Sequence, residues 1–218
     1  MSGSSAIDMA EREIREQLAS LGESLFSRGY SVGGAGNISV RLPDGNLLAT
    51  PTNSCLGRLD PEQLSKTDMQ GNHLGGAKPT KELSLHLAVY AERPETGAVV
   101  HLHSTYVTAL SCLADINRED ALKAFTPYYI MKVGALPVAP YYKPGHPALG
   151  EWAAKLVKKA PVFLLANHGS VVCGPSLVDA VNNAEELEET AKLYFILHGE
   201  RRPVRYLADA EVEELKRN

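Results

Sequence analysis

Between Val99 and Ser111 the chain reads VVHLHSTYVTALS. A short apolar run of this kind suits a buried strand that turns into a helix, yet it carries His101 and His103 with one leucine between them. Side chains two apart on a strand share a face, so both imidazoles project side by side at the strand's end, where they can share a metal ion. A second apolar run, Val162 to Leu165, is followed by Asn167, His168 and Gly169. Two strands that each lead into histidine can bring three imidazoles to one point, as an open catalytic zinc site requires. The long separation of His103 and His168 excludes a local zinc finger but not a site assembled by the fold. Taken alone, either histidine of the pair is better read as a core residue that donates one ring N–H to a backbone carbonyl; the pair shifts the balance toward metal.

Composition narrows the choice. A chain of 218 residues, 44% hydrophobic and 22% charged, suits a single globular domain over residues 1–218. The formal net charge of -4 and the lack of a lysine and arginine run argue against nucleic acid and against an anionic membrane surface as partners. The N-terminal stretch MSGSSAIDMAEREIREQL has no apolar segment of signal-peptide length, and no later run approaches the ~20 apolar residues of a membrane span, so a cytoplasmic protein is expected. Cys55, Cys112 and Cys173 lie far apart without CxxC spacing, which suits reduced thiols, and none sits in an activating motif.

Helical and extended patterns alternate along the chain. Ile14, Leu18, Leu21 and Leu25 recur at helical spacing from Asp8 to Arg28, with Gly29 as a stop. Asn37 to Leu42 and Leu47 to Thr50 read as strands joined by the turn Pro43-Asp44-Gly45-Asn46. A helix is expected from Glu82 to Ala91, a strand from Gly97 to Leu102 and a helix onward through Ala114. Further on, a helix at Pro147 to Lys159, strands at Val162 to Ala166 and Ser170 to Cys173, and a long helix at Ser176 to His198 complete the pattern. Helices between strands predict a central mixed or antiparallel sheet covered by helices.

Three loops offer groups for an anion. VGGAGNIS can turn its backbone N–H groups inward, but it lacks the Walker lysine and precedes a strand, so taken alone it is better read as a tight structural turn than as an anion site. ATPTNSCLG presents Thr52, Asn53 and Ser54; KPTKELSLH places Thr80 and Lys81 at a helix start, with Glu82 beside them. Glu82 also fits an ordinary first-turn acid, and His86, four residues on, fits solvent or core contact. Tyr128, Tyr129, Tyr141 and Tyr142 read as packing, and Glu185, Glu186, Glu188 and Glu189 as a solvated helix face.

Taken together, GNIS around Asn37, TPT ending at Thr52, TKELSLH around Glu82, HLHS around His101 and His103, and ANHG around His168 resemble the class II aldolase and adducin family in order and spacing. The resemblance runs from about Asp8 to Gly199. Within the family, SCLGRLDPEQLSKTD and MKVGALPVAPYYKPGHPALGE are similar to the branch that decarboxylates 3-oxo-tetronate 4-phosphates rather than to the fuculose-phosphate aldolases. The resemblance implies a three-layer α/β fold with a central, mainly antiparallel sheet flanked by helices. It further implies a homotetramer with sites between subunits, and a divalent metal, zinc in most members, on His101, His103 and His168. Glu82 is implied as catalytic acid/base and, in the resting enzyme, as fourth ligand, with phosphate against Asn37, Thr52, Asn53, Thr80 and Lys81. Aldolases of the family carry glycine where Asn53 stands and a serine pair where Thr80 and Lys81 stand, which leaves Lys81 an alternative partner in the carboxylate of a decarboxylase substrate.

The implied chemistry suits these residue types. A 3-oxo-tetronate 4-phosphate has its ketone β to the carboxylate, so loss of carbon dioxide leaves an enediolate whose charge a Lewis-acidic metal stabilises. Protonation of its carbon by Glu82 then gives dihydroxyacetone phosphate. Sugar-phosphate aldolases reach the same enediolate, so aldolase and sugar-phosphate 4-epimerase remain alternatives on one metal, and a non-catalytic adducin-like scaffold is the alternative of a different class.

Overall fold

The computed structural model describes residues 2–200 and 202–217. The N-terminal helix α1 (Ser2–Ser27) ends where expected, because Gly29 takes φ +80 and Tyr30 N–H returns to the Leu25 carbonyl. Strands β1 (Asn37–Arg41) and β2 (Leu47–Ala49) form the expected hairpin, with Asp44 accepting from Asn46 N–H in its turn. Short turns of 3-10 helix at Leu56–Arg58 and Pro61–Gln63 lead to β3 (Ser65–Thr67) and β4 (His73–Gly75), both too short to show a period of two in the sequence.

Helix α2 (Leu83–Glu92) starts just after Glu82, and β5 (Ala98–Leu102) follows it. Helix α3 (Thr105–Ser111) stops three residues before the expected Ala114, because Cys112 and Leu113 N–H bond to carbonyls three residues back and tighten the last turn. Then come α4 (Pro127–Lys132), β6 (Val138–Ala139), α5 (Pro147–Val157), β7 (Val162–Leu165), β8 (Gly169–Gly174), α6 (Leu177–Gly199) and α7 (Asp209–Leu215).

Among the described residues all eight strands join one sheet in the order β4-β3-β2-β1-β5-β8-β7-β6, and every neighbouring pair is antiparallel except β6 against β7. The sheet is the middle of three layers. Ile38, Val40, Val100, Leu102, Leu164 and Val172 face a core shared with α1, α3 and α6. Their neighbours in sequence, Val99, Phe163, Leu165, Val171 and Cys173, face a second core shared with α2 and α5. Strands β5, β7 and β8 are buried on both faces, which is why they read as continuous apolar runs. Among the described residues no helix is long and apolar enough to cross a membrane.

A charged cluster ties the outer layer to the sheet. Lys66 Nζ on β3 lies 2.6 Å from Glu11 Oε2 on α1 and 2.7 Å from Asp44 Oδ2 in the β1–β2 turn. Burial by itself would raise both carboxyls, but hydrogen bonds from Lys66, with Arg15 at Glu11 and Asn46 at Asp44, hold both below the usual range. A carboxyl with a depressed folded-state pKa contributes stability above its unfolded value near about 4, and that contribution is lost as pH falls through the lowered value. Lys66→Met is therefore expected to cost roughly 1 kcal/mol at neutral pH in urea unfolding. The deficit should shrink as the pH drops below about 4; a deficit independent of pH would count against the cluster.

Candidate metal centre

The site is built on the strand pairing around β5. His101 lies on that strand, fully buried, opposite Asn37 of β1 and Val171 of β8. Its Nδ1–H donates to the Ser170 carbonyl at 2.7 Å, which leaves Nε2 as the ring atom turned toward the centre, the orientation a ligand needs. His103, just past the strand end, brings its Nε2 to 2.9 Å from His101 Nε2. His168 comes from the β7–β8 hairpin, where Asn167 has φ +55 and Gly169 passes so close to β5 that a Cβ would sit 2.2 Å from the Leu102 carbonyl oxygen. Glycine at that position is what lets His168 reach the other two rings. Glu82 enters from the start of α2, with Oε2 3.3 Å from His101 Nε2 and Oε1 3.6 Å from His168 Nε2. One ligand atom from each of the four residues lies within 4.8 Å of every other.

Electrostatics and hydrogen bonding distinguish these four groups from satisfied core residues. Burial, reinforced by the neighbouring His101 charge, pushes His103 down to about 3 and His168 down to about 4, so both rings are neutral, the form that binds metals. Burial would also lower His101, but the Glu82 carboxylate outweighs it and raises the value. At Glu82 burial acts upward, while the His101 charge and hydrogen bonds from His101 and Asn37 pull the carboxyl well below its usual range. Three buried atoms, Glu82 Oε1 and both ring nitrogens of His168, have no hydrogen-bond partner. Orphaned polar atoms cost about 1–3 kcal/mol each, and a cation among them removes that cost. Three imidazoles and one carboxylate are a donor set for zinc or a similar divalent ion, so the residues present fit the metal.

A cavity of about 210 Å³ opens beside the four. It is lined by every sequence-predicted anion residue: Asn37, Thr52, Asn53, Thr80 and Lys81. The two loops that carry them are cross-linked, with Thr80 N–H donating to the Thr50 carbonyl and Thr52 N–H to the Lys78 carbonyl. Asn53 has φ +59, a region that favours glycine but that asparagine tolerates. Asn37 also donates from Nδ2 to Glu82 Oε2 at 2.8 Å, a bond the sequence did not announce. The loop Gly34–Gly36 joins the lining, and so do Pro144 and Gly145, which the sequence offered only as part of the stretch that resembles the decarboxylase branch. A larger cavity of about 460 Å³ near Asp120, Tyr129 and Tyr206 contains none of the predicted site residues.

One residue read as solvated proves otherwise. Glu188 is 4% exposed on the same buried face of α6 as Val181, Ala184 and Ala191, and its carboxylate accepts from Ser104 Oγ–H and from the N–H groups of Tyr106 and Val107. The helical period turns this one member of the acidic run inward, where it caps α3 and fixes the chain just after His103. Tyr129 is buried, as packing requires, while Tyr128 and Tyr141 are exposed.

Comparison with known proteins agrees with this architecture. The model of the class II aldolase and adducin N-terminal domain matches residues 16–195. A 3-oxo-tetronate 4-phosphate decarboxylase of Haemophilus influenzae is 54% identical over 209 residues, covering 96% of this chain and 97% of its own. An L-fuculose phosphate aldolase of Methanococcus maripaludis is 38% identical over 175 residues, covering 80% and 92%. The crystal structure of YgbL from Escherichia coli superposes with a TM-score of 0.92 at 52% identity, covering 94% of this chain and 99% of that one.

Metal binding is directly testable. Protein stripped by a chelator should bind one zinc ion per chain, and free zinc at a hundredfold excess over its Kd should raise Tm by about 5–10 °C. His101→Ala and His168→Ala should abolish stoichiometric binding in calorimetry. Unchanged zinc affinity in His101→Ala would refute the assignment.

Proposed function

Because the chain belongs to the class II aldolase and adducin family, we propose that it converts a 3-oxo-tetronate 4-phosphate to dihydroxyacetone phosphate and carbon dioxide. The observation that carries this reading is the high identity, over nearly the whole of both chains, to a decarboxylase of that substrate; the aldolase relative is less similar over a shorter span. The presence of all four ligating side chains argues against a non-catalytic scaffold. The cavity is smaller than the ~300–1,000 Å³ of drug-sized ligand sites, which suits a small sugar acid.

In this reading His101, His103, His168 and Glu82 hold a divalent ion, zinc in our assignment. That ion supplies positive charge where the substrate's ketone oxygen gains electrons as carbon dioxide leaves. Thr52 and Thr80 bind the phosphate through their hydroxyls and Asn53 through its side-chain amide and backbone N–H, assisted by the second Nδ2–H of Asn37. Lys81, exposed at the cavity mouth, supplies a cation for the phosphate or for the carboxylate that departs. Glu82 is a carboxylate at rest, so it acts by taking a proton from solvent as negative charge develops beside it and by passing that proton to carbon. The balance is simple: the C1–C2 bond breaks, its electron pair forms the enediolate, and one proton enters at C2.

We assign a homotetramer with sites between subunits as the working form, supported by exposed apolar side chains at Val32, Leu74, Tyr128, Met131 and Tyr141. A cytoplasmic location is consistent with three unpaired cysteines.

Zinc-loaded protein given 3-oxo-tetronate 4-phosphate should release carbon dioxide and dihydroxyacetone phosphate in equal amounts. Dihydroxyacetone phosphate from fuculose 1-phosphate, with no carbon dioxide from the first substrate, would make the protein an aldolase instead. Glu82→Gln should retain zinc while turnover falls by roughly two to four decades. Full turnover in that variant would remove Glu82 from proton transfer.

A further inference from the structure

Behind Glu82 runs a row of polar side chains of which the steps above use only Asn37. Asn37 Nδ2 donates to Glu82 Oε2 at 2.8 Å, and Asn37 Oδ1 meets His86 Nε2 at 2.5 Å. On the far side of the same ring, His86 Nδ1 lies 2.7 Å from Ser39 Oγ, which in turn lies 3.0 Å from the Tyr90 hydroxyl. His86 is fully buried, Ser39 likewise, and Tyr90 is 2% exposed. The partners come from two elements: Asn37 and Ser39 alternate along one face of β1, while Glu82, His86 and Tyr90 recur every four residues along α2.

The direction of every bond in this row follows from its first member. Glu82 is a carboxylate and can only accept, so the amide of Asn37 must turn its NH₂ group toward it. The Asn37 carbonyl oxygen then faces His86 and can only accept, so His86 carries its proton on Nε2. Burial pushes His86 down to about 3, so the ring is neutral and its Nδ1 has a free lone pair. Ser39 therefore donates to Nδ1, and the Tyr90 hydroxyl donates to Ser39 Oγ. No arrangement with a reversed bond leaves all five groups satisfied.

We propose that His86 is a positioning residue for the reaction: by donating to Asn37 it fixes the amide that holds Glu82 Oε2, and so sets the direction in which the Glu82 carboxylate faces the centre. This rests on Glu82 carrying the proton, as assigned above. The Asn37 bond engages Oε2 and turns Oε1 toward His168 Nε2, 3.6 Å away. His86 itself does not line the cavity, so it acts only through Asn37.

The test uses full-length, zinc-loaded protein and two substitutions. His86→Phe keeps an aromatic ring but deletes both bonds, whereas His86→Gln keeps an N–H donor for Asn37. His86→Phe is expected to lower kcat by about 10–100-fold, the scale of a misplaced catalytic group, with KM and zinc stoichiometry within about twofold of wild type. His86→Gln should recover most of that loss. Wild-type kcat in both variants would overturn the proposal, and so would an equal loss in both accompanied by loss of zinc, which marks a purely structural role. In wild-type protein, long-range ¹H–¹⁵N spectra should show His86 as the neutral Nε2–H tautomer. A proton on Nδ1 overturns the proposal whether or not the variants fold. If wild type releases no carbon dioxide, the proposed reaction fails by itself, and the tautomer still decides whether the hydrogen-bonded row exists.

Discussion

The register of β5 between β1 and β8 is the constraint on which the centre depends. It sets Asn37 opposite His101 on one side and Leu102 opposite Ser170 on the other, so the two outer strands supply the partners of Glu82 and of the His101 ring. A slip of one residue would send His101 to the opposite face of the sheet, into the apolar core beneath α3 and α6. Such a slip is resisted by the burial pattern itself, because Val100 and Leu102 would exchange faces with Val99 and His101 at the same time. The cost of misregister is thus both chemical and hydrophobic, and the site inherits its precision from the core.

Around that pairing, polar groups are buried that a sheet interior does not tolerate unless they are matched. Glu188 is matched three times by Ser104, Tyr106 and Val107 and holds the start of α3. His86 is matched twice, by Asn37 and Ser39. Besides the hydroxyls of Ser65, Thr67 and Thr96, the buried side-chain atoms without a partner among the described residues are Glu82 Oε1 and the two ring nitrogens of His168, and these face one another at the centre. The contrast is informative because the same interior satisfies its other histidines: polar atoms are left without partners at the place where ligand atoms converge.

Much of this was legible in the sequence for identifiable reasons. Central strands such as Val162 to Leu165 announced themselves because burial on both faces selects unbroken apolar runs, and α1 and α6 because they are long enough to repeat a helical period. His101, His103 and His168 stood out as imidazoles at the ends of such runs. Strands β3, β4 and β6 did not, since two or three residues carry no period. Glu188 was hidden among like neighbours, because which glutamate of an acidic run turns inward depends on the rotation of α6 about its axis. The row behind Glu82 left a fainter trace: Asn37 and Ser39 at spacing two, and Glu82, His86 and Tyr90 at spacing four. Each half is a polar stripe on one element, and only the packing of α2 on β1 reveals that the stripes meet.

The choice of a neutral ring in that row also makes electrostatic sense. In the proposed reaction the centre would combine a carboxylate, a divalent ion and a substrate bearing a carboxylate and a phosphate, so a second permanent charge behind Glu82 would alter the proton affinity on which its proposed role depends. A buried imidazole fixed as one tautomer transmits orientation without adding charge, because it donates at one nitrogen and accepts at the other. A lysine there could not accept from Ser39, and a carboxylate could not donate to the Asn37 carbonyl. Glutamine has both functions but lacks the rigid ring that sets the angle between them. The geometry of α2 against β1 therefore calls for a group with a donor and an acceptor on opposite edges of one planar ring, and histidine provides it.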